Sequence, residues 1–174
     1  YNLSDQEARA LAASFGINTP PYLVEDNTLD GKQYNWAQEE LGLTASQTIL
    51  RYEKTKTQED LTSLPEEELQ DRAQSFIQNI PLLNKDLIIN PSKTKYLRLS
   101  TRGSLASTDS FANAQIIEFS FEKKLADLPL VTNSTDTQYT TIRIKKDGQI
   151  TYLGARFFAG FQETGPYKLK TTKE

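Results

Sequence analysis

The chain has 174 residues, a formal net charge of −3, 37% hydrophobic residues and 25% charged ones, a balance that supports a packed core and excludes wholesale disorder. It contains no Cys, no His and no Met. That excludes a disulfide framework, a thiolate nucleophile, Cys-ligated zinc and any Ser–His catalytic pair. Lack of Cys is compatible with an extracytoplasmic bacterial protein that needs no oxidative folding.

Charge is unevenly spread. Residues 1–90 carry 15 acids and 7 bases, whereas residues 91–174 carry 8 acids and 13 bases. Such a split marks either an anionic partner for the basic half or two units that attract each other.

Ser4-Asp5-Gln6-Glu7 has the form of a capping box and predicts a helix start. Ala8, Leu11, Ala12 and Phe15 continue at helical spacing, and Gly16 is placed to end the helix in a left-handed cap. Strands are predicted at Tyr22–Asp26 and Lys32–Ala37 around an Asp30-Gly31 turn, and at Gln47–Glu53. Lys54–Thr62 is polar and charged and reads as a linker. Ser63-Leu64-Pro65-Glu66 repeats the capping box, Leu69, Ala73, Phe76, Ile77 and Ile80 form an apolar stripe, and Pro81 stops it. Further strands are predicted at Leu87–Asn90, Thr94–Thr101, Gln115–Lys124, Gln138–Lys146 and Gln149–Phe158, the last two meeting at Asp147-Gly148. Alternation places Ile117, Phe119 and Phe121 on one face of their strand, and Ile142 and Ile144 on one face of theirs. Arg102–Ala114, rich in small polar residues, reads as an exposed excursion between strands.

A helix followed by meandering strands, twice over, predicts an α+β fold of two tandem units, each a helix packed on an antiparallel sheet. Residues 1–53 form the first and 54–62 the linker. Residues 63–160 form the second, with roughly four or five strands, and 161–174 are a tail.

Little in the chain speaks for chemistry. There is no Ser-x-x-Lys or Gly-x-Ser-x-Gly string and no Gly-rich phosphate loop. No metal or cofactor is expected. The acidic runs Glu25-Asp26, Glu39-Glu40 and Glu66-Glu67-Glu68 are the carboxylates a glycosidase would need, although the last sits where it favours a helix dipole. Glu39 and Glu40 beside Tyr34 and Trp36 give one alternative reading, a cell-wall carbohydrate-binding or carbohydrate-processing protein. A small-ligand carrier with a pocket between sheet and helix is another.

The densest bases are Lys93, Lys95, Arg98 and Arg102, interleaved with Tyr96. On a strand, Lys93, Lys95 and Leu97 share one face, and Tyr96, Arg98 and Ser100 the other. The charge is divided, which together with the acidic overall balance disfavours nucleic acid. Tyr96 and Arg98 are instead candidates for a protein-binding surface, because aromatic residues and Arg are enriched at interfaces. Leu105 and Phe111, the large apolar side chains of the 102–114 excursion, are candidate anchors for the same partner.

An apolar strand, a short charged turn, a hydrophobic-Pro-hydrophobic segment, a strand, Asp-Gly and a final strand: this order resembles PepSY-type modules. It is also similar to the extracytoplasmic YycH/YycI regulators of a cell-wall sensor kinase. It is carried by Ile117, Phe119, Phe121, Leu128-Pro129-Leu130-Val131, Ile142, Ile144, Asp147-Gly148 and Ile150, and by the acidic start and apolar stripe of Glu66–Ile80. The likeness covers Ser63–Phe158, residues 4–53 look like a degenerate second copy, and the insertion Thr101–Ala114 departs from it. The resemblance implies a non-enzymatic domain outside the cytoplasmic membrane that regulates or inhibits a protein partner of the cell envelope. Contact with the membrane is expected only through an anchor preceding Tyr1.

Overall fold

The computed structural model of the chain describes residues 3–27, 31–38, 40–46, 48–55, 62–83, 87–101, 103–125, 128–129 and 140–156. Helix α1 (Asp5–Ser14) begins where the capping box places it. Ser4 Oγ accepts from the Glu7 amide at 3.3 Å, and Glu7 Oε2 accepts from the Ser4 amide at 2.9 Å. Satisfying these orphan amides contributes about 1 kcal/mol. The helix ends in a Schellman motif, with Ile17 N–H bonded to Ala12 O and Gly16 N–H to Ala13 O while Gly16 sits at φ +77°.

Helix α2 (Glu66–Asn79) departs from its expected start. Its N-cap is Pro65 with no side-chain cap bond, so Ser63 does not close a second capping box. Glu66 is engaged elsewhere, accepting from Tyr96 Oη at 2.8 Å. Glu66, Glu67 and Glu68 still favour the first turn through the helix dipole, and Leu64 N–H bonds to Lys146 O to anchor the approach.

Eleven strands occur among the described residues: β1 (Leu23–Asn27), β2 (Gly31–Gln38), β3 (Leu41–Ala45), β4 (Ile49–Lys54), β5 (Leu87–Ile89), β6 (Lys95–Leu99), β7 (Leu105–Thr108), β8 (Ile116–Leu125), β9 (Leu128–Pro129), β10 (Thr140–Lys145) and β11 (Ile150–Arg156). They form an antiparallel sheet in the order β1-β2-β3-β4-β11-β10-β8-β6-β7, with β5 and β9 paired to the far part of β8. The α+β class is as predicted, but two separate sheets are not what forms. β4 pairs with β11 from Glu53 opposite Tyr152 to Ile49 opposite Arg156. In isolated units both strands would carry a row of unpaired backbone groups, and joining them satisfies those groups.

Both helices cover the same face. Phe15, just past α1, stacks on Tyr52 of β4 at 4.9 Å and meets Phe76 of α2 edge-on at 5.8 Å. Leu11, Leu69, Ala73 and Ile77 from the helices join Tyr34, Leu43, Leu50, Leu153, Ile142 and the predicted row Ile117, Phe119, Phe121 in one core. A bulge keeps β11 in step with it: Arg143 stands opposite Tyr152 but Ile144 opposite Ile150, leaving Thr151 as the extra residue. Ile150 and Leu153 therefore both serve the core side, while Tyr152 turns to the other.

Three strands are additional to the sequence reading, the two-residue β9 among them. β3 spans Leu41–Ala45, and β7 lies inside the expected excursion, whose Ala114 is buried and whose Phe111 packs against the core. The insertion thus contributes one strand to the sheet, packs Phe111 against the core and buries Ala114. Most of the expected linker, residues 56–61, and the tail at 161–174 lie outside the described residues.

The β10–β11 turn carries a testable constraint. Gly148 sits at φ +86°, and a Cβ there would stand 2.6 Å from Arg72 Nη1 and 3.0 Å from Leu64 Cδ1. Gly148→Ala is expected to cost about 1–2 kcal/mol from the left-handed backbone alone, read as a lower urea midpoint. An unchanged midpoint would show that the turn is not held in this conformation.

Candidate functional site

On the face that neither helix covers, register sets Lys95, Glu118, Arg143, Tyr152 and Glu53 directly opposite one another across β6, β8, β10, β11 and β4. Glu118 is only 6% exposed. Its oxygens accept from Lys95 Nζ at 2.9 Å and from Arg143 Nε at 2.8 Å. The Arg143 guanidinium lies 4.6 Å from the Tyr152 ring centroid, and Arg51, paired with Glu53 at 3.2 Å, lies 5.9 Å from it. A Cβ at Gly154 would stand 2.6 Å from Tyr152 Oη, so only glycine leaves room for the ring to lie across the sheet here. Each acid in this row has a cationic neighbour, so the row is a self-neutralising brace.

Burial pushes the Glu118 carboxyl up, but the hydrogen bonds from Lys95 and Arg143 outweigh it and leave the group below its ordinary range. A depressed folded-state value means the brace stabilises the fold above the unfolded carboxylate range, about pH 4.3. That stability is lost as pH falls through the folded value. Glu118→Gln is therefore expected to destabilise at pH 7 and to flatten the acid side of a stability-versus-pH curve. An unaltered acid limb would mean that the pair contributes nothing.

The predicted partner-binding residues fall around the β6–β7 hairpin. Tyr96 is half-buried and ties β6 to α2: the hydrogen bond to Glu66, then burial, raises its phenol above the usual range. Phe111 is half-buried too, edge-on to Tyr96 at 6.4 Å, with the Lys146 ammonium 4.8 Å from its ring centroid. Both are structural supports rather than free anchors. Arg98 and Leu105 are the exposed members of the set. Leu99, opposite Leu105, is 54% exposed and Leu105 37%. Leu99 was not singled out in the sequence, although its spacing from Leu97 signals a shared face.

The carbohydrate residues go elsewhere. Tyr34 and Trp36 are 2% and 3% exposed and stack on each other at 6.2 Å. Tyr34 Oη donates to Asp5 Oδ1, with the Leu3 carbonyl 3.3 Å away, and Trp36 Nε1 donates to Thr19 O at 3.1 Å. Burial first, then the Asp5 bond, pushes the Tyr34 phenol up to about 12. An aromatic sugar platform needs an exposed ring face, and neither residue offers one; they pin α1 and the segment after it to the sheet. Glu40 is exposed, and Glu39 lies outside the described residues. A cavity of about 520 Å³ is lined by Arg9, Ala13, Ile17, Asn18, Thr19 and Pro20. It opens at the flank of α1, away from the helix–sheet interface expected of a ligand carrier.

Among the described residues no helix is long and apolar enough to cross a membrane, and no cluster of acids is placed to hold a metal ion. The chain matches no protein-family model, no curated protein and no solved structure.

Proposed function

We propose that the chain is a non-catalytic extracytoplasmic interaction domain that regulates or inhibits a protein partner of the bacterial cell envelope. It would be held at the cytoplasmic membrane through sequence preceding Tyr1. On this reading the α1–β4 and α2–β11 halves are two copies of one PepSY-like helix-plus-meander module, joined edge to edge. The observation that carries it is the β6–β7 hairpin: a sheet edge with exposed Leu99 and Leu105 on one face and exposed Arg98 on the other. Exposed apolar and Arg side chains around a strand whose outer edge pairs with no other strand among the described residues are what a docking surface supplies.

The test uses the absence of Cys. Ser104→Cys creates a unique thiol, and a membrane-impermeant maleimide should label it in intact source cells. A photo-reactive residue at position 105 should cross-link to an envelope protein, and adding Leu99→Asp should abolish that product without lowering the melting temperature. Labelling only after lysis, with no cross-link from position 105 or from position 23 on the opposite edge, would overturn the reading.

A further inference from the structure

The two edges of the sheet are guarded differently. β1 carries the exposed Glu25 and is preceded by Pro20-Pro21, features that discourage strand addition. β7 reads Leu-Ala-Ser-Thr and has neither charge nor proline. Its outward groups can be named. Ser100 N–H bonds to Ser104 O, and Leu99 stands opposite Leu105. Hydrogen-bonded pairs alternate along an antiparallel ladder, so Ala106 and Thr108 bond to β6, while Leu105 and Ser107 turn their N–H and C=O groups away from it. The β6 side agrees: Leu97 O and Leu99 N–H are taken by Gln115, on the side away from β7.

We infer that β7 accepts an extended partner segment by strand addition, and that this segment alternates apolar and acidic residues. This rests on the interaction reading above and names the partner's chemistry. An added strand places a residue opposite Leu105 on the open face, beside exposed Leu99 and Leu105, where an apolar side chain buries both. Its neighbour, opposite Ala106, falls on the other face, the face of Arg98, which stands directly across from Ala106. Ala106 is too short to screen the guanidinium, and none of the hydrogen bonds or ion pairs among the described residues engages it. An acidic residue there meets that charge, and strand addition supplies affinity from the backbone with specificity from alternate side chains.

The probe is the synthetic peptide acetyl-Thr-Val-Glu-Val-Glu-Val-amide, with its Lys-for-Glu counterpart as control, followed by residue-resolved amide exchange on the whole chain. The acidic peptide should slow exchange at Leu105 and Ser107 and leave Ala106 and Thr108, already bonded to β6, unchanged. Arg98→Glu should invert the preference between the two peptides by about tenfold or more. Equal protection by both peptides, protection elsewhere, or none would overturn the inference, while a cross-link to an envelope protein from position 23 would leave the interaction reading standing. Protection at Leu105 and Ser107 that grows with protein concentration and no peptide would make a second copy the occupant and overturn it as well.

Discussion

Phe119→Ala is expected to destabilise the fold by about 3–5 kcal/mol. Phe119 is fully buried in the middle of β8, flanked on the same face by Ile117 and Phe121 and opposite Ile142 of β10. β10 is paired with β8 at this point, and β6 and β5 pair with it just before and just after, so the site cannot readily collapse to fill the space, and the cavity cost adds to the lost transfer energy of the ring. Urea denaturation followed by far-UV circular dichroism measures it. A loss below about 1 kcal/mol, the size of an ordinary surface change, would remove Phe119 from the core and the β8 register with it.

Leu153→Ala is the second large effect, expected at about 2–5 kcal/mol. Leu153 is fully buried on β11 and stands opposite Tyr52 on β4 and Ile142 on β10. It is the large buried side chain of β11 that stands across the seam from β4, with Ala155 opposite Leu50 beside it. Its loss should be felt on both sides of the seam, whereas Leu69→Ala on α2 should act first on the second half. If Leu153→Ala left the environment of Tyr52 unchanged by NMR, the β4–β11 pairing would be wrong.

Much of this fold was legible in the chain. The Ser4 box, Gly16 cap and Asp147-Gly148 turn depend on residues within a few positions of each other, and those local rules held. The row Ile117, Phe119, Phe121 was visible because strict alternation has no other economical explanation. The second capping box failed because a tertiary partner, Tyr96, holds Glu66. β3 was hidden by Gly42, which weakens a strand pattern without forbidding it. β7 was hidden by its small polar residues, which look like a loop until β6 is beside them. Nothing local signals that β4 and β11, far apart in the chain, should pair. For the candidate site, Arg98 and Leu105 were readable as exposed, while Tyr34 and Trp36 supported two readings, a sugar platform and a strand end with a core tryptophan. Their alternation with Gln33 and Asn35 pointed inward, while their residue types pointed to a surface.

The lone tryptophan decides whether the seam makes one body of the two halves. Trp36 is buried in β2 and reports only on the first half, whereas Phe119 lies in the second. With β4 and β11 paired over a shared core, Phe119→Ala should shift the urea midpoint of Trp36 fluorescence by the same amount as the midpoint seen by circular dichroism, in a single transition. A Trp36 midpoint that stays at the wild-type value while the circular dichroism curve splits in two would contradict it: the halves would then unfold separately, and the sheet would not run continuously from β1 to β7.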